Sequence, residues 1–307
     1  MPMTHHIGFE ISEHVFRIVE LRSGNRTTTI LQADQFETEY NYSSNLLHEA
    51  SINKTLAKSF IRDVTLFLRR QKLFASHISL TCASHIPFIS TIPLDLHVSD
   101  EERIDQLRWE CQLLAPFTTP CDVNVSTIPL HRNGNTEHVL AIALPTQTID
   151  FLTSVFSMFS LNVTVLDVDH FAVEHAIQHI DHPSTFAVVG LHEKYATISM
   201  IERDRYIGFR MHRFASDGMQ YSGILRLLHE MLIQAAHKQL PPVFLYGASC
   251  SDAVLYSLRS LLDVSIMRFE PLNHFLFAEE SARTQTALAL PPSTFAAALG
   301  AALRTDT

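Results

Sequence analysis

Ile7-Gly8-Phe9-Glu10-Ile11-Ser12-Glu13-His14-Val15-Phe16-Arg17-Ile18-Val19-Glu20-Leu21 reads as two apolar strands, Ile7–Ile11 and His14–Leu21, turning back at Ser12-Glu13. A third strand, Thr27–Glu37, follows. Ile52–Gln71 then reads as a helix, with Ile52, Leu56, Phe60, Val64 and Phe67 at helical spacing. Strand His77–Cys82 comes next, and much later strand Val163–Asp167 and helix His170–Ile180. Further along, the order recurs: strands Thr185–Leu191, Tyr195–Ile201 and Arg205–Phe214, a long helix Asp217–Lys238, strand Val243–Tyr246, helix Ser251–Leu262, strand Val264–Phe269 and a terminal helix Ser293–Arg304. A βββαβαβα order met twice predicts an α/β chain of two similar lobes with a cleft between them. The first lobe takes residues 1–85, 163–183 and the C-terminal helix 290–307; the second takes 184–289.

Residues 86–162 interrupt the first copy with a block of their own. Ser99 and Glu102 form a capping box that opens a helix running to Leu114, where Pro116 stops it. Asn133-Gly134 is a two-residue hairpin turn between Asp122–Leu130 and Glu137–Leu144. A second helix, Thr148–Phe159, completes a small inserted α+β subdomain.

Composition narrows the function classes. Apolar residues make up 46% of the 307-residue chain and charged ones 18%, which suits well-cored lobes rather than disorder. A net charge of −9 repels nucleic acid and anionic lipid. Cys82, Cys111, Cys121 and Cys250 lie far apart without a CxxC pair, as expected of buried thiols in a reducing compartment. Neither a signal peptide nor a run of ~20 apolar residues is found, so a cytoplasmic protein is expected.

Four stretches carry a family resemblance. Ile7 to Ser12 through Arg17-Ile18-Val19-Glu20-Leu21 is similar to "IGIDIG…KLVEL". Ile92-Pro93-Leu94, Arg108-Trp109-Glu110 and Ala115-Pro116-Phe117 resemble "IELP…RWEAE…IPF". Leu166-Asp167-Val168-Asp169 with Phe171-Ala172 resembles "LDVEAFA", and Phe295-Ala296 with Ala298 to Arg304 resembles "YAVALGLALR". All four belong to the type IV pilus assembly family PilM, of which the chain looks like a divergent member. The resemblance implies an actin/hexokinase-type duplicated fold with the FtsA/PilM placement of the insert. It also implies a scaffold at the inner membrane that grips the cytosolic tail of a PilN-like bitopic protein, with the pilus assembly motor proteins as further partners. Machines for secretion or competence, including a GspL-like role, stay open, as does an active actin-like ATPase.

In that fold ATP lies in the cleft, cradled by glycine-bearing turns, with acids holding magnesium. Here the family glycine of the first turn is Ser12, with Glu13 beside it. The Asp-x-Gly of the second turn is Gly190-Leu191-His192, and "TGGGA" is Tyr246-Gly247-Ala248-Ser249-Cys250. Glu10 remains able to serve a metal. The expectation is a degenerate nucleotide cleft at Glu10, Ser12, Gly190, His192 and Gly247, no catalysis and no cofactor, ATP with magnesium being the ligand that intact loops would hold.

Other chemistry is thinner. Gly247-Ala248-Ser249 begins like a nucleophile elbow, but Ser251 stands where the closing glycine belongs. His175 and His179, spaced i and i+4 beside Glu174, make a metal pair without an identified third ligand. For partner binding, the first insert helix is the candidate. Ile104, Leu107, Cys111 and Leu114 form its core stripe, while Trp109 and Leu113 fall on nearly the opposite face, to be covered by the protein itself or by a partner. Phe117 is expected to extend the Trp109 and Leu113 surface.

Overall fold

The computed structural model describes residues 4–24, 27–42, 46–115, 117, 121–203, 205–214, 221–234, 241–262, 264–278 and 290–304. The chain opens with an antiparallel meander of β1 (Thr4–Ser12), β2 (Val15–Ser23) and β3 (Thr28–Glu37). Most of β1 and β2 is buried, which explains their near-continuous apolar runs. Two helices follow where one was expected, α1 (Leu46–Ile52) and α2 (Lys54–Leu68). Asn53 makes the break. Its side chain accepts from the Thr55 and Leu56 N–H groups and caps α2, leaving Ile52 exposed at the end of α1. Then β4 (His77–Cys82) returns parallel to β1.

The insert comprises β5 (Phe88–Asp95), α3 (Asp100–Leu114), β6 (Val123–Asn133) and β7 (Thr136–Pro145). Both halves of the Ser99–Glu102 capping box form, and Gly134 takes the left-handed conformation (φ 58°) that the β6–β7 turn needs. Helix α4 (Thr146–Ser157) next leads into β8 (Asn162–Val168), which pairs parallel to β4. Two parallel neighbours need a crossover, and α4 supplies it. Leu152, Val155 and Phe156 of α4 pack with Phe9, Phe60 and Phe67 in the first-lobe core. Although placed in the insert by sequence, α4 is therefore a first-lobe helix.

After α5 (Asp169–Asp181) comes the second meander, β9 (Thr185–Leu191), β10 (Tyr195–Glu202) and β11 (Arg205–Arg213), then α6 (Tyr221–Gln234), β12 (Val243–Tyr246), α7 (Asp252–Leu261) and β13 (Ile266–Arg268). The expected extensions of α6 to Asp217 and Lys238 fall outside the described residues. In the second sheet the strands run β11-β10-β9-β12-β13, and in the first a short strand β14 (Leu276–Phe277) is followed by β3-β2-β1-β4-β8. Apart from β14 the two orders correspond strand for strand.

That extra strand, β14 (Leu276–Phe277), pairs parallel to β3, so the chain has re-entered the first lobe by Leu276 rather than at 290. A 3-10 turn, Pro292–Phe295, starts the last helix, α8 (Ala296–Leu303), in place of a continuous helix from Ser293. Every residue of Ala-Ala-Ala-Leu-Gly-Ala-Ala-Leu is buried. Such a helix is apolar all round because it is covered all round. A Cβ on Gly8 of β1 would stand 1.8 Å from the Ala298 carbonyl oxygen, and one on Gly300 would stand 2.0 Å from that of Ala172 in α5. Small residues thus let α8 press on β1 and α5 together, beneath the cleft.

Candidate functional site

Four segment ends converge between the lobes: the β1–β2 turn, the start of α5, the end of β9 and the residues after β12. Glu10, Ser12, His192 and Gly247 line this cleft together, with Glu13, Arg17, Asp169 and Tyr246. Of the five expected positions Gly190 lies just behind the wall. A Cβ there would meet Thr197 Oγ1 at 2.4 Å and the Tyr246 hydroxyl at 2.5 Å. Gly190 is thus needed for side-chain packing. Gly247 has φ 106° and packs on Leu191, where a Cβ would lie 2.3 Å from the carbonyl oxygen.

Arg17 is directly opposite Glu10 in the β1–β2 register, and its Nη1 donates to Glu10 Oε1 over 2.7 Å. Both are buried. Burial pushes the Glu10 carboxyl up from its ordinary range, while the Arg17 charge pulls it down. Asp169 Oδ1 accepts from the Ser84 hydroxyl and, at 2.7 Å, from the His170 N–H. Its carboxyl is pushed up to about 7, by burial first and by the Glu10 charge as well. His192 lies flat on Tyr195, ring centroids 4.3 Å apart, and its Nε2 is 3.7 Å from Asp169 Oδ2. Burial, then the neighbouring His170, His85 and Arg17, lower its pKa to about 3, so the ring is neutral.

Behind this layer the lobes are joined by hydrogen bonds centred on His170. Its Nδ1 is 3.0 Å from the Tyr246 hydroxyl and 2.8 Å from Thr197 Oγ1, and its Nε2 is 2.8 Å from Ser199 Oγ. Tyr206 donates to Glu174 Oε1 at 2.8 Å. Glu174 therefore faces the lobe junction. The His175 and His179 rings lie 6.3 Å apart on the same helix. The space left in the cleft is ≈ 20 Å³, room for about one water.

Arg17, Ser84, Tyr195 and the His170 network lie outside the turns that mark the cleft in the sequence. Only Arg17 left a signal: it and Glu10 are opposite charges at mirror positions about a tight turn.

On α3 the partner candidates separate. Trp109 and Leu113 are 62% and 66% exposed, so the described residues leave that face uncovered. Phe117 instead packs into the insert core with Leu107 and Cys111 and lies 6.0 Å from the His48 ring. It does not extend the Trp109 surface, because Ala115 ends the helix in an extended conformation. Of the expected core stripe, Leu107 and Cys111 are buried, but Ile104 and Leu114 are 47% and 55% exposed.

No family model and no curated protein matches the sequence. Solved structures do match. The "PilM-PilN type IV pilus biogenesis complex" aligns with TM-score 0.66 and 16% identity, over 99% of this chain and 99% of that one. A Bacteroides thetaiotaomicron protein of actin-like ATPase fold and unknown function aligns with TM-score 0.51 and 13% identity, over 94% of this chain and 96% of the other. The two lobes, their matching strand orders and the insert thus make up an actin-like fold in the arrangement of the PilM structure.

Proposed function

We propose that the chain is a non-enzymatic, PilM-like scaffold of a type IV pilus or a related secretion or competence machine. It holds the cytosolic tail of a PilN-like inner-membrane protein and stays at the membrane through that partner. The observation that carries this reading is the end-to-end alignment with the structure of a PilM–PilN complex. No helix among the described residues is long and apolar enough to cross a membrane. Attachment through a partner agrees with that.

The cleft supports a scaffold over an ATPase. Glu10, the acid best placed for a metal, is paired with Arg17, and His192, stacked on Tyr195, and Tyr246 line a cleft with ≈ 20 Å³ free. Glu13 adds a carboxylate where phosphates would sit. These residues do not fit ATP with magnesium.

Affinity purification of the tagged chain from native membranes tests the reading. A bitopic inner-membrane protein is expected to co-purify, and its isolated cytosolic tail to bind the pure chain. Fractionation with soluble proteins alone, and no binding by any such tail, would refute it.

A further inference from the structure

The sign of the surface changes along α2. Six of the chain's 23 lysines and arginines fall within residues 54–74, against one acid, Asp63, although the whole chain carries a net charge of −9. Asp63 is buried and accepts from Tyr42 and Arg62. Arg62 is also paired with Glu39 at 2.6 Å. Lys54, Lys58, Arg69, Arg70 and Lys72 are exposed, and among the described residues no ion pair holds them. Where α2 ends, the run Leu66-Phe67-Leu68-Arg69-Arg70-Gln71-Lys72-Leu73-Phe74 turns three of these cations and two large apolar side chains to solvent. Leu66 is 46% exposed and Phe74 59%.

The turn is firmly built. Glu20, fully buried beneath it, accepts from the Phe74 N–H at 2.8 Å and the Ala75 N–H at 2.7 Å. The Phe74 backbone is therefore pinned while its ring stays outside. The Arg70 guanidinium lies over the Phe36 ring, 5.0 Å from its centroid, and the Lys72 ammonium over the Phe74 ring at 5.5 Å. Such contacts hold a cation in place without cancelling its charge. The neighbouring Asp34 is taken up by the Gln71 amide at 2.8 Å and the Gln35 N–H at 2.9 Å. A surface organised in advance loses little freedom when it binds.

We propose that this end of α2, from Leu66 to Phe74, rests directly on an anionic phospholipid surface, with Arg69, Arg70 and Lys72 among the headgroups and Leu66 and Phe74 at headgroup depth. Charge alone would suit any polyanion; the apolar members decide. Leu66 can neither stack on a base nor pair with a carboxylate. Exposed aliphatic and aromatic side chains set among lysine and arginine are instead the composition of surfaces that lie in a membrane interface. Each cation close to such a surface raises affinity about fivefold. The acidic remainder of the chain is repelled by the same lipids, so the molecule approaches with this patch foremost. This is a direct contact beside any held through a partner, and it stands without the pilus reading.

The test is flotation of the pure chain with vesicles of phosphatidylglycerol and phosphatidylethanolamine, with phosphatidylcholine vesicles as the neutral control. Binding is expected to the anionic vesicles alone and should weaken as salt is raised. Arg69→Gln, Arg70→Gln and Lys72→Gln combined should weaken it about a hundredfold. Lys194→Gln, Arg213→Gln and Arg226→Gln combined remove three exposed cations elsewhere and should leave it unchanged. Phe74→Ser keeps every charge and should still weaken binding about tenfold, because the ring enters the interface. Should the first triple variant melt low, Lys72→Glu carries the same comparison, since its ammonium rests over an exposed ring. No binding to anionic vesicles, equal loss in both triple variants, or parental binding by Phe74→Ser overturns the proposal. So does equally tight binding to polyglutamate or DNA, since the partner would then be an acidic macromolecule. If a membrane protein co-purifies while the pure chain ignores vesicles, only this surface assignment is lost.

Discussion

Arg17 and Glu10 face each other across the β1–β2 pair, 2.7 Å apart and shielded from solvent, at the mouth of the interlobe cleft. A buried pair is costly to break from one side only, because the remaining charge stays buried without its counter-ion. Arg17→Met alone should destabilise the fold by about 3–5 kcal/mol. Arg17→Met combined with Glu10→Leu should cost much less, since neither charge remains. Urea unfolding of the two singles and the double measures the coupling. Singles that cost under about 1 kcal/mol would mean that the pair does not seal the cleft.

Nucleotide should leave the melting curve unmoved. A ligand at a hundred times its dissociation constant would stabilise the native state by about 2.7 kcal/mol. The cleft has ≈ 20 Å³ free, room for about one water rather than a nucleotide. Thermal melts with millimolar ATP and magnesium are expected to superpose on those without. A saturable rise would restore the ATPase reading.

Asp169 makes the cleft sensitive to pH. Its carboxyl, ordinarily near 3.8, titrates at about 7 in the folded chain. Between those values the native state keeps a proton that the unfolded state has lost, so this group's contribution falls as pH rises from about 4 to 7 and is level above. His192, lowered to about 3, acts the other way between about 3 and 6.5 and partly masks the effect. Subtraction isolates Asp169. The advantage of Asp169→Asn over the parent should grow from pH 4 to 7 and reach the order of 3–4 kcal/mol. A difference that is flat with pH would place the Asp169 pKa near its ordinary value.

The strand order was legible because β1, β2, β9 and β10 are apolar on both faces and bounded by polar turns. The Ser99 box and the Asn133-Gly134 turn were legible because they act within a few residues. Asn53 was hidden: a capping side chain inside an apolar period looks like one polar position of a longer helix. Of the cleft, its damaged loops could be read, but what fills it could not. Tyr246 meets His170 and His192 only through the fold, from separate elements, and Tyr195 stacks on His192 beside them. On α3 the period separated two apolar faces correctly, yet periodicity does not say how wide a sheet lies beneath, and so Ile104 and Leu114 were expected to be buried.

The position of α4 decides how the insert can be removed. Excision of residues 87–161 takes α4 away, exposes Phe9, Phe60 and Phe67, and deprives β8 of its crossover. That product should be insoluble. Excision of 88–144, with a short linker into α4, removes only β5, α3, β6 and most of β7 and should leave a soluble, cooperatively melting body without partner binding. Equal solubility of the two products would show that α4 contributes nothing to the first-lobe core.

Trp109 separates binding from folding. At 62% exposure it has little packing to lose, in contrast to a buried tryptophan, whose truncation costs about 3–5 kcal/mol. Trp109→Ala should therefore shift unfolding by no more than about 0.5 kcal/mol. If the exposed Trp109–Leu113 face is where the membrane partner's tail rests, the same variant should weaken that tail by about 2 kcal/mol or more, as expected of an aromatic anchor. Phe117→Ala, taken from the insert core, should do the reverse: a lower melting temperature with affinity changed only in proportion to the folded fraction. Both are read by melting curves and tail-peptide titrations on the same preparations. Trp109→Ala with parental affinity would move the tail off this face.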